Sequence, residues 1–486
     1  MKTLLIVFYC LLSMTVGAQL VVSDPMVVAN ENEFGNARPR IALNASNEPV
    51  IIWCDGGAEK IYCSRMISGS FTPPQQINPD GIGVSSFDWS GPEIASFGNK
   101  MAVVMKLEPE MTEHVYVVLS EDGGASWSDT VRVESSTPYH SRMPSIAFDE
   151  EGNPSVAFLR ENMEGFSEWA YARSIDGGQT FEAPTSVSVA FTGAVCDCCP
   201  SSTVIDGDRV AVLYRNNENN LRDIRASISS DGGLTFPIQG DVDNLNWQIF
   251  ACPATGPSAR IIGDKLCSAW MSDATGDSRI YYSTYDLSTS TFEGSEDIYP
   301  NAGSVAQNFP AFAGEEGMKA IAWESIQAID RNILFTYSTS EDGFNGTEIL
   351  TLTESMSGYQ IRPNMAYANG VFHIVFSDDG GDAVIYMTVS GIVSVEEEGL
   401  GERTSTLEVF PNPASTASMV QWTSADNTPA RLELYTSTGA LVRSETVLTK
   451  PGINQFSLFT GGLAAGTYTL RLFSSGSALH HRLVRE

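Results

Sequence analysis

The sequence predicts an all-β protein made of seven similar repeats and a small C-terminal β-sandwich, and three observations support this fold class. Only 18% of the 486 residues are charged and 42 are glycine, a composition that suits many strands and turns. A block of sequence recurs seven times at intervals of 52 to 57 residues. A turn motif with two glycines recurs at nearly the same interval.

Each repeat starts with a proline and contains two short apolar segments separated by a Gly, Asn or Asp turn, as expected for a β-hairpin. The second segment ends in a large apolar residue 13 or 14 positions after the proline. The prolines are Pro39, Pro92, Pro144, Pro200, Pro257, Pro310 and Pro363. The large apolar residues are Trp53, Met105, Phe158, Tyr214, Trp270, Trp323 and Phe376. Seven sheet-forming repeats predict a six- or seven-bladed β-propeller.

The turn motif follows later in each repeat and reads Ser-x-Asp-Gly-Gly-x-Ser/Thr-Trp/Phe at Ser120–Trp127, Ser174–Phe181 and Ser229–Phe236. The aspartate can accept backbone hydrogen bonds locally, and glycine adopts positive φ without strain. We therefore expect these aspartates to be structural. They are Asp122, Asp176 and Asp231, with degenerate copies at Asp286 and Asp342.

This motif resembles the Asp-box (BNR) repeat of sialidase-like propellers, and the resemblance covers roughly residues 36–390. It implies a propeller with a central pocket on the face opposite the Asp-box turns. If the protein is an enzyme, the family implies a glycoside hydrolase of the exo-sialidase type. Sialidases have six blades, so seven repeats depart from that pattern, and a fold of this kind specifies the reaction only weakly.

The chain organisation predicts four parts. Residues 1–18 have the charge, apolar run and small-residue end of a signal peptide. Residues 19–392 form the propeller, in which Leu20 to Ala29 is expected to complete the last blade. Residues 393–406 are a polar linker. Residues 407–486 resemble the C-terminal sorting domain of the type IX secretion system of Bacteroidetes, with an accessory β-sandwich as the alternative.

The chain has a formal net charge of −31, and its first 400 residues contribute −32, from 21 basic and 53 acidic residues. Such a body repels nucleic acid and anionic membranes, so neither is expected as a partner. No segment after the N-terminal one has the apolar length of a transmembrane helix. The protein is therefore predicted to be secreted or held at the cell surface, with the secretion machinery as a partner of its C-terminal domain.

Arginines recur at positions that the repeat places at one mouth of the propeller. Arg38, Arg142 and Arg362 stand before repeat prolines, and Arg160 and Arg215 follow second strands. Guanidinium groups bind carboxylates in a bidentate manner, so these five predict a site for an acidic glycan or another small anion. The alternative is pairing with local carboxylates such as Glu161 and Asp223.

The resemblance to sialidases implies an arginine triad, a Tyr–Glu nucleophilic pair and an acid. Arg38 stands where the family has its Arg-Ile-Pro motif, but the residues around it differ from that motif. Arg142 and Arg362 match only by their position in the repeat. No tyrosine nucleophile can be placed. Glu324 and Asp55 are candidate catalytic carboxylates because of their place at the mouth.

Cysteines form a second candidate site. Cys196, Cys198 and Cys199 lie within four residues, and Cys252 occupies nearly the same place one repeat later. Four sulfurs suit Cu(I) or Zn(II), while an exported protein also favours disulfides, with Cys252 paired to Cys198 or Cys199. A further disulfide is expected between Cys54 and Cys63. Cys267 is expected to be an inert core thiol.

The sequence thus predicts a secreted sialidase-like propeller that binds or hydrolyses acidic glycans at its central pocket. Two alternatives remain: a non-hydrolytic propeller with a metal or redox site at its cysteines, and an adhesive scaffold.

Overall fold

The computed structural model describes residues 20–30, 34–134, 140–162, 164–188, 194–327, 330–341, 343–379, 383–391, 407–424, 429–436, 441–450, 452–474 and 477–485. Every element with described bounds is a β-strand, which confirms the all-β class. The chain forms two compact units, residues 1–395 and 396–486. The predicted signal peptide and linker, residues 1–18 and 393–406, lie outside the described residues.

The described strands of the larger unit form seven sheets, numbered here along the chain. Sheet 1 contains Ala37–Leu43, Pro49–Asp55, Lys60–Ile67, Ser70–Phe71 and Gln75–Gln76. Sheet 2 contains Glu93–Phe97, Lys100–Lys106, Val115–Ser120 and Val131–Arg132. Sheet 3 contains His140–Phe148, Pro154–Glu161, Ser167–Arg173 and Thr185–Ser186. Sheet 4 contains Ala194–Val195, Ser202–Asp206, Arg209–Asn217, Ile224–Ser229 and Ile238–Asp241.

The remaining three sheets follow the same order of antiparallel strands. Sheet 5 contains Ser258–Ile262, Lys265–Ser272, Arg279–Asp286 and Thr291–Asp297. Sheet 6 contains Ala306–Glu315, Met318–Gln327, Asp330–Ser338 and Leu350–Thr351. Sheet 7 contains Gln360–Ala368, Val371–Asp378 and Ala383–Ser390, together with the N-terminal strands Val21–Val22 and Met26–Asn30.

The N-terminal strands join the last sheet, as the sequence predicts. Met26 pairs with Tyr386 and Val21 with Ser390, both in antiparallel register along the outer edge of sheet 7. This pairing satisfies backbone groups that would otherwise form an exposed strand edge.

One strand of each sheet, called here the inner strand, contacts the inner strand of the next sheet. The inner strand of sheet 7 also contacts that of sheet 1. The inner strands are Ala37–Leu43, Glu93–Phe97, His140–Phe148, Ser202–Asp206, Ser258–Ile262, Ala306–Glu315 and Gln360–Ala368.

The core lies between neighbouring sheets. All seven large apolar residues that end the second repeat segment are fully buried there, as the repeat predicts. Trp270, for example, stacks on Tyr281 with ring centroids 4.9 Å apart. Burying a large apolar side chain stabilises a fold by about 1.5–3 kcal/mol, so these seven positions anchor their sheets.

The three complete turn motifs have the predicted structural role. Asp231 accepts hydrogen bonds from the backbone N–H and the hydroxyl of Thr235, at 2.9 and 2.7 Å, and from the hydroxyl of Ser229 at 2.6 Å. Asp122 and Asp176 make the equivalent bonds. The two glycines after each aspartate have φ between 69° and 91°. Asp342 lies outside the described residues.

The smaller unit consists of two described sheets. One contains Leu407–Phe410, Ala417–Ser424 and Gly452–Phe459. The other contains Leu441–Leu448, Pro429–Thr436, Gly466–Ser474 and Ser477–Arg485. Their buried residues, among them Trp422, Leu434 and Leu470, form a core of their own. Among the described residues of the whole chain, no helix has the length and apolarity to cross a membrane.

Candidate functional site

A central channel of about 460 Å³ runs between the inner strands, and all seven of them contribute to its wall. The residue three positions after each repeat proline lines it. These residues are Ala42, Ala95, Ala147, Thr203, Arg260, Ala313 and Ala366. Small side chains at six of the seven positions leave the channel open.

At one end of the channel, four inner strands contain the same β-bulge. The residue before the repeat proline has positive φ in each: 51° at Arg38, 51° at Met143, 49° at Phe309 and 55° at Arg362. Each lies where the strand register is interrupted. A bulge changes the direction in which side chains point, and it turns Arg38 and Arg362 toward the channel wall.

A second cavity of about 480 Å³, called here the mouth pocket, opens at this end. Its wall combines two cations, two carboxylates, an amide and an aromatic ring, which are Arg331, Arg362, Asp88, Asp379, Asn36 and Tyr359. Asp88 and Arg362 also line the central channel, so the two cavities adjoin.

Glu324 holds the two arginines of the mouth pocket in place. Its side chain is fully buried, with one carboxylate oxygen 2.8 Å from Arg331 Nη1 and the other 3.4 Å from the backbone N–H of Arg362. Burial raises the pKa of Glu324, and the charges of Arg331 and Arg362 oppose that shift. The sequence predicted a catalytic Glu324, and in the structure both of its carboxylate oxygens contact other protein groups, the guanidinium of Arg331 and the backbone of Arg362.

The arginine side chains lie against aromatic rings. Arg331 lies 5.2 Å from the ring centroid of Tyr359, and Arg362 lies 5.1 Å from that of Phe309. Arg362 also forms an ion pair of 3.3 Å with the largely exposed Asp88. The side chain of Arg331 remains 34% exposed, so a ligand in the pocket can reach its guanidinium.

Asp379 is the carboxyl group of this pocket whose pKa is shifted. The surrounding protein raises the pKa of Asp379, while Arg362 and a hydrogen bond from Asn36 oppose the shift. Asn36 Nδ2 lies 3.4 Å from Asp379 Oδ1, and the Asp379 backbone N–H donates to the Tyr359 carbonyl at 2.9 Å. Position in the sequence does not identify Asp379, because it stands one residue beyond its strand.

Arg38 lies on the inner strand of sheet 1, which contacts the inner strand of sheet 7, and it lines the channel. It is 4% exposed and forms an ion pair with Glu93, which Arg40 also contacts at 3.1 Å. Burial lowers the pKa of Arg38 to about 10, with a further lowering by Arg40 that Glu93 opposes. The guanidinium of Arg38 is therefore paired with a protein carboxylate, that of Glu93, in the channel wall.

The other predicted mouth arginines have protein partners as well. Arg142 lies 3.5 Å from both Glu110 and Glu161, and Arg160 lies 2.5 Å from Glu168. These pairs correspond to the alternative of local ion pairing that the sequence left open.

Two predicted site residues contact protein groups and line neither the central channel nor the mouth pocket. Arg215 is fully buried, and its guanidinium donates to the backbone carbonyls of Arg222 and Met271 at 2.6 and 2.8 Å. Asp55 accepts bonds from the N–H groups of Gly57 and Ala58, both at 3.0 Å, and so closes a turn. Substrate binding by Arg215 and catalysis by Asp55 stay predictions from the sequence.

Arg260 is a channel cation that is not among the residues predicted from the sequence. Its Nη1 donates to the Ala259 carbonyl at 2.8 Å, and no ion pair connects it to a carboxylate in the described parts of the chain. Its exposed side chain lines the channel, and the surrounding protein lowers the pKa of Arg260. The signal was present, since arginine replaces the alanine or threonine of the other repeats at this position.

The cysteine cluster, defined as Cys196, Cys198, Cys199 and Cys252, lies where sheets 4 and 5 meet. Cys198 and Cys252 form a disulfide, which confirms that Cys252 pairs with one of the two adjacent cysteines. Gly256 allows this approach, because a Cβ atom there would lie 2.2 Å from the Pro200 carbonyl oxygen.

The other two thiols of the cluster are fully buried beside that disulfide. Cys196 Sγ lies 3.2 Å from Cys199 Sγ and 3.5 Å from Cys198 Sγ, and it accepts a bond of 3.0 Å from Arg222 Nη1. The hydrogen bond between Cys196 and Cys199 lowers the pKa of the Cys196 thiol to about 6; the charge of Arg222 lowers it further, and burial opposes the shift. Burial raises the pKa of Cys199.

In this arrangement the groups available to a metal ion are two thiols and one disulfide. The sulfurs of Cys196, Cys198 and Cys199 lie within 4.8 Å of one another, close enough to share a metal ion. Because the disulfide occupies the sulfurs of Cys198 and Cys252, the four-thiolate set that tetrahedral zinc prefers exists only after its reduction.

The predicted disulfide between Cys54 and Cys63 is absent, and both thiols are free and buried. Cys54 pairs across the strands with Ile61, while Cys63 pairs with Ile52. The two cysteines are therefore diagonal neighbours on one sheet face, a separation that a disulfide does not span without backbone movement. Cys267 is free and buried, as predicted.

Comparison with known proteins identifies the smaller unit. Residues 408–486 match the model of the secretion system C-terminal sorting domain. A sorting domain of this type indicates export across both membranes to the cell surface or the medium. It also implies contact with the secretion machinery. No curated protein matches the chain in sequence.

Solved structures resemble the chain at low identity. An ulvan lyase of polysaccharide lyase family PL25, bound to -[GlcA(1-4)Rha3S]-, is 11% identical, with 75% of this chain and 95% of that chain covered and a TM-score of 0.49. Trypanosoma rangeli sialidase is 10% identical, with 86% and 85% covered and a TM-score of 0.40. A Dyadobacter fermentans protein of unknown function is 12% identical, with 65% and 96% covered and a TM-score of 0.43.

Proposed function

We propose that residues 20–391 form a seven-bladed β-propeller that binds an acidic glycan in the mouth pocket. The succession of contacts among the seven inner strands, including that between sheets 7 and 1, supports the blade count. Export by the sorting domain places such a protein where polysaccharides are encountered.

The arrangement of Arg331 and Arg362 carries this proposal. The buried carboxylate of Glu324 fixes both residues beside the pocket, and Arg331 keeps an exposed guanidinium. A guanidinium binds a carboxylate or sulfate through two parallel hydrogen bonds, which suits the acidic group of a uronic or sialic acid. Tyr359 supplies an aromatic surface for a sugar ring in the same pocket.

Hydrolysis at this pocket would require a carboxyl group that is protonated near neutral pH. Asp379 is the candidate for that role, because it lines the pocket and the surrounding protein shifts its pKa upward, which is the direction that such an acid needs. Glu324 does not suit that role, because its oxygens hold Arg331 and the backbone of Arg362.

Calorimetric titration with sialyllactose, oligoglucuronate and neutral lactose tests the proposal. We expect an acidic sugar to bind and lactose not to bind. Loss of a charge-assisted hydrogen bond in Arg331→Ala or Arg362→Ala should weaken binding by about tenfold or more. Asp379→Asn should retain binding and abolish any release of sugar.

Arg173→Ala is the matched control, since Arg173 pairs with Glu182 beside a turn motif and not at the mouth pocket. Its affinity should equal that of the wild type. Equal affinity in the Arg331, Arg362 and Arg173 variants would refute the proposal.

Binding of a soft metal by the cysteine cluster is a second candidate function, favoured by three sulfurs within 4.8 Å of one another. Copper(I) or zinc would be held by Cys196, Cys198, Cys199 and Cys252 after reduction of the disulfide. Elemental mass spectrometry of protein reduced with a phosphine under argon tests it. About one metal ion per chain, lost in Cys196→Ser, is the expected result.

A further inference from the structure

The cysteine cluster contains a dithiol and a disulfide in direct contact. Cys196 and Cys199 have the Cys-x-x-Cys spacing that allows two cysteines to form a disulfide with each other. Cys198 stands between them in sequence and already forms a disulfide with Cys252. All four sulfurs therefore belong to one connected group.

The distances within this group are those of reacting atoms. Cys196 Sγ lies 3.5 Å from Cys198 Sγ and 3.2 Å from Cys199 Sγ, so one sulfur contacts both the sulfur it would attack and the sulfur that would attack it. Thiol–disulfide exchange requires contact of this kind between an attacking sulfur and a disulfide sulfur. Reacting atoms held at about 3–3.5 Å are close to the geometry of attack.

The two pairs differ in their access to solvent. Cys196 and Cys199 are fully buried, whereas Cys252 is exposed and Cys198 is partly exposed. An external disulfide can therefore reach the Cys198–Cys252 pair but not the buried pair. Any electrons that leave Cys196 and Cys199 must pass through Cys198.

We propose that the cysteine cluster is a thiol–disulfide relay, in which the buried Cys196–Cys199 dithiol passes two electrons to the Cys198–Cys252 disulfide at the surface. In the first step the Cys196 thiolate attacks Cys198 Sγ. The Cys196–Cys198 bond forms, the Cys198–Cys252 bond breaks, and the electron pair leaves on Cys252, which takes a proton from solvent.

In the second step Cys199 gives up its proton and attacks Cys196 Sγ. The Cys196–Cys199 bond forms, the Cys196–Cys198 bond breaks, and the electron pair leaves on Cys198, which is then protonated. Cys196 and Cys199 are oxidised to a disulfide, while Cys198 and Cys252 are reduced to thiols. The buried pair loses two protons, one from each thiol, and the surface pair takes up two, so the exchange balances without a net proton and without an external oxidant.

Arg222 positions the attacking sulfur. Its Nη1 donates to Cys196 Sγ at 3.0 Å, a bond that is stronger when the sulfur is a thiolate. The surface dithiol that results can reduce an accessible disulfide of another molecule, and the chemical class of the substrate is therefore a disulfide. Such a reaction leaves the cluster with two disulfides.

Glutathione disulfide is the probe for this relay. Full-length protein, purified under argon and incubated with the probe at pH 8, is quenched with acid, alkylated and digested for disulfide mapping. The wild type should gain a Cys196–Cys199 disulfide and release two glutathione thiols per chain. Cys199→Ser should stop after the first step and show a Cys196–Cys198 bond.

Two variants provide the controls. Cys196→Ser should keep only the Cys198–Cys252 disulfide and release no glutathione, while Cys267→Ser, which removes a buried thiol outside the cluster, should behave as the wild type. Circular dichroism verifies that each variant is folded. The proposal is overturned if the wild type releases no glutathione and retains Cys198–Cys252 alone, or if Cys196→Ser reacts as the wild type does.

Discussion

At the scale of single residues, the aspartates of the turn motifs stabilise the loops that join the third and fourth strands. Asp122 accepts bonds from the N–H groups of Ala125 and Ser126 and from the hydroxyls of Ser120 and Ser126. We expect Asp122→Ala to lower the free energy of unfolding by about 1 kcal/mol, because a net hydrogen bond at an exposed site contributes about that amount. Urea denaturation at pH 7 measures the change.

The effect should also depend on pH in a defined direction. Hydrogen bonds from Ser126 lower the pKa of Asp122 to about 2, against the ordinary value of 3.8. The lowered pKa means that the folded state favours the ionised form of Asp122. This stabilisation is therefore present above about pH 4 and is lost as the pH falls toward 2. Asp129→Ala, an exposed aspartate of the same loop, should show neither effect. A difference between Asp122→Ala and the wild type that persists undiminished at pH 2 would contradict this account.

The roles of these aspartates could be predicted because every partner lies within a few positions along the chain. The roles of Arg38 and Arg362 could not, because their partners come from other repeats. Arg38 meets Glu93 of the next sheet, and Glu324 of sheet 6 fixes Arg362 of sheet 7. The position of Arg362 in its repeat therefore predicted that it lies at the pocket, whereas the position of Arg215 in its repeat did not predict that it is buried.

At the scale of elements, the proline of each repeat marks an inner strand, and the sequence shows this directly. The bulge before that proline is not visible in the sequence, because arginine, methionine and phenylalanine all occupy a backbone conformation that usually favours glycine. The disulfide expected between Cys54 and Cys63 failed for a related reason. Their closeness depended on register, and the observed register makes them diagonal neighbours.

The bulge at Arg362 stores backbone strain, which a pair of substitutions can reveal. At φ 55°, an L-residue costs about 1 kcal/mol more than glycine. We therefore expect Arg362→Gly to be more stable than Arg362→Ala by about 1 kcal/mol in urea denaturation. Both should bind acidic sugars weakly, because neither has a guanidinium.

Arg331 is the matched control for this comparison, since it lies in the strand Asp330–Ser338 without positive φ. There the order should reverse, with Arg331→Gly less stable than Arg331→Ala by about 0.5–1 kcal/mol. The same order at both positions would show that backbone strain does not set the conformation of the bulge.

At the scale of the whole molecule, the sequence predicted how the N-terminal segment joins the last sheet, because a spare strand and a missing outer strand were both visible in the repeat pattern. Pairing of Met26–Asn30 with Ala383–Ser390 confirms it. The central channel could not be described in the same way. Its width depends on seven inner strands together, and Arg260 has an unusual place only when all seven are compared.

The two units of the chain should also separate by function. The sorting domain has its own sheets and core, so deletion of residues 407–486 removes no strand from sheets 1–7. We expect the truncated protein, expressed in a Bacteroidetes host that has the secretion system, to cross the inner membrane and accumulate in the periplasm. Cell fractionation with immunoblotting measures its location, and the melting temperature of the purified fragment reports on its fold.

A control with a flexible linker inserted before residue 407 should reach the surface or the medium as the wild type does. Surface delivery of the truncated protein would mean that the sorting signal lies in the larger unit. A much lower melting temperature of the truncated protein would mean that the larger unit depends on residues 407–486 for its stability.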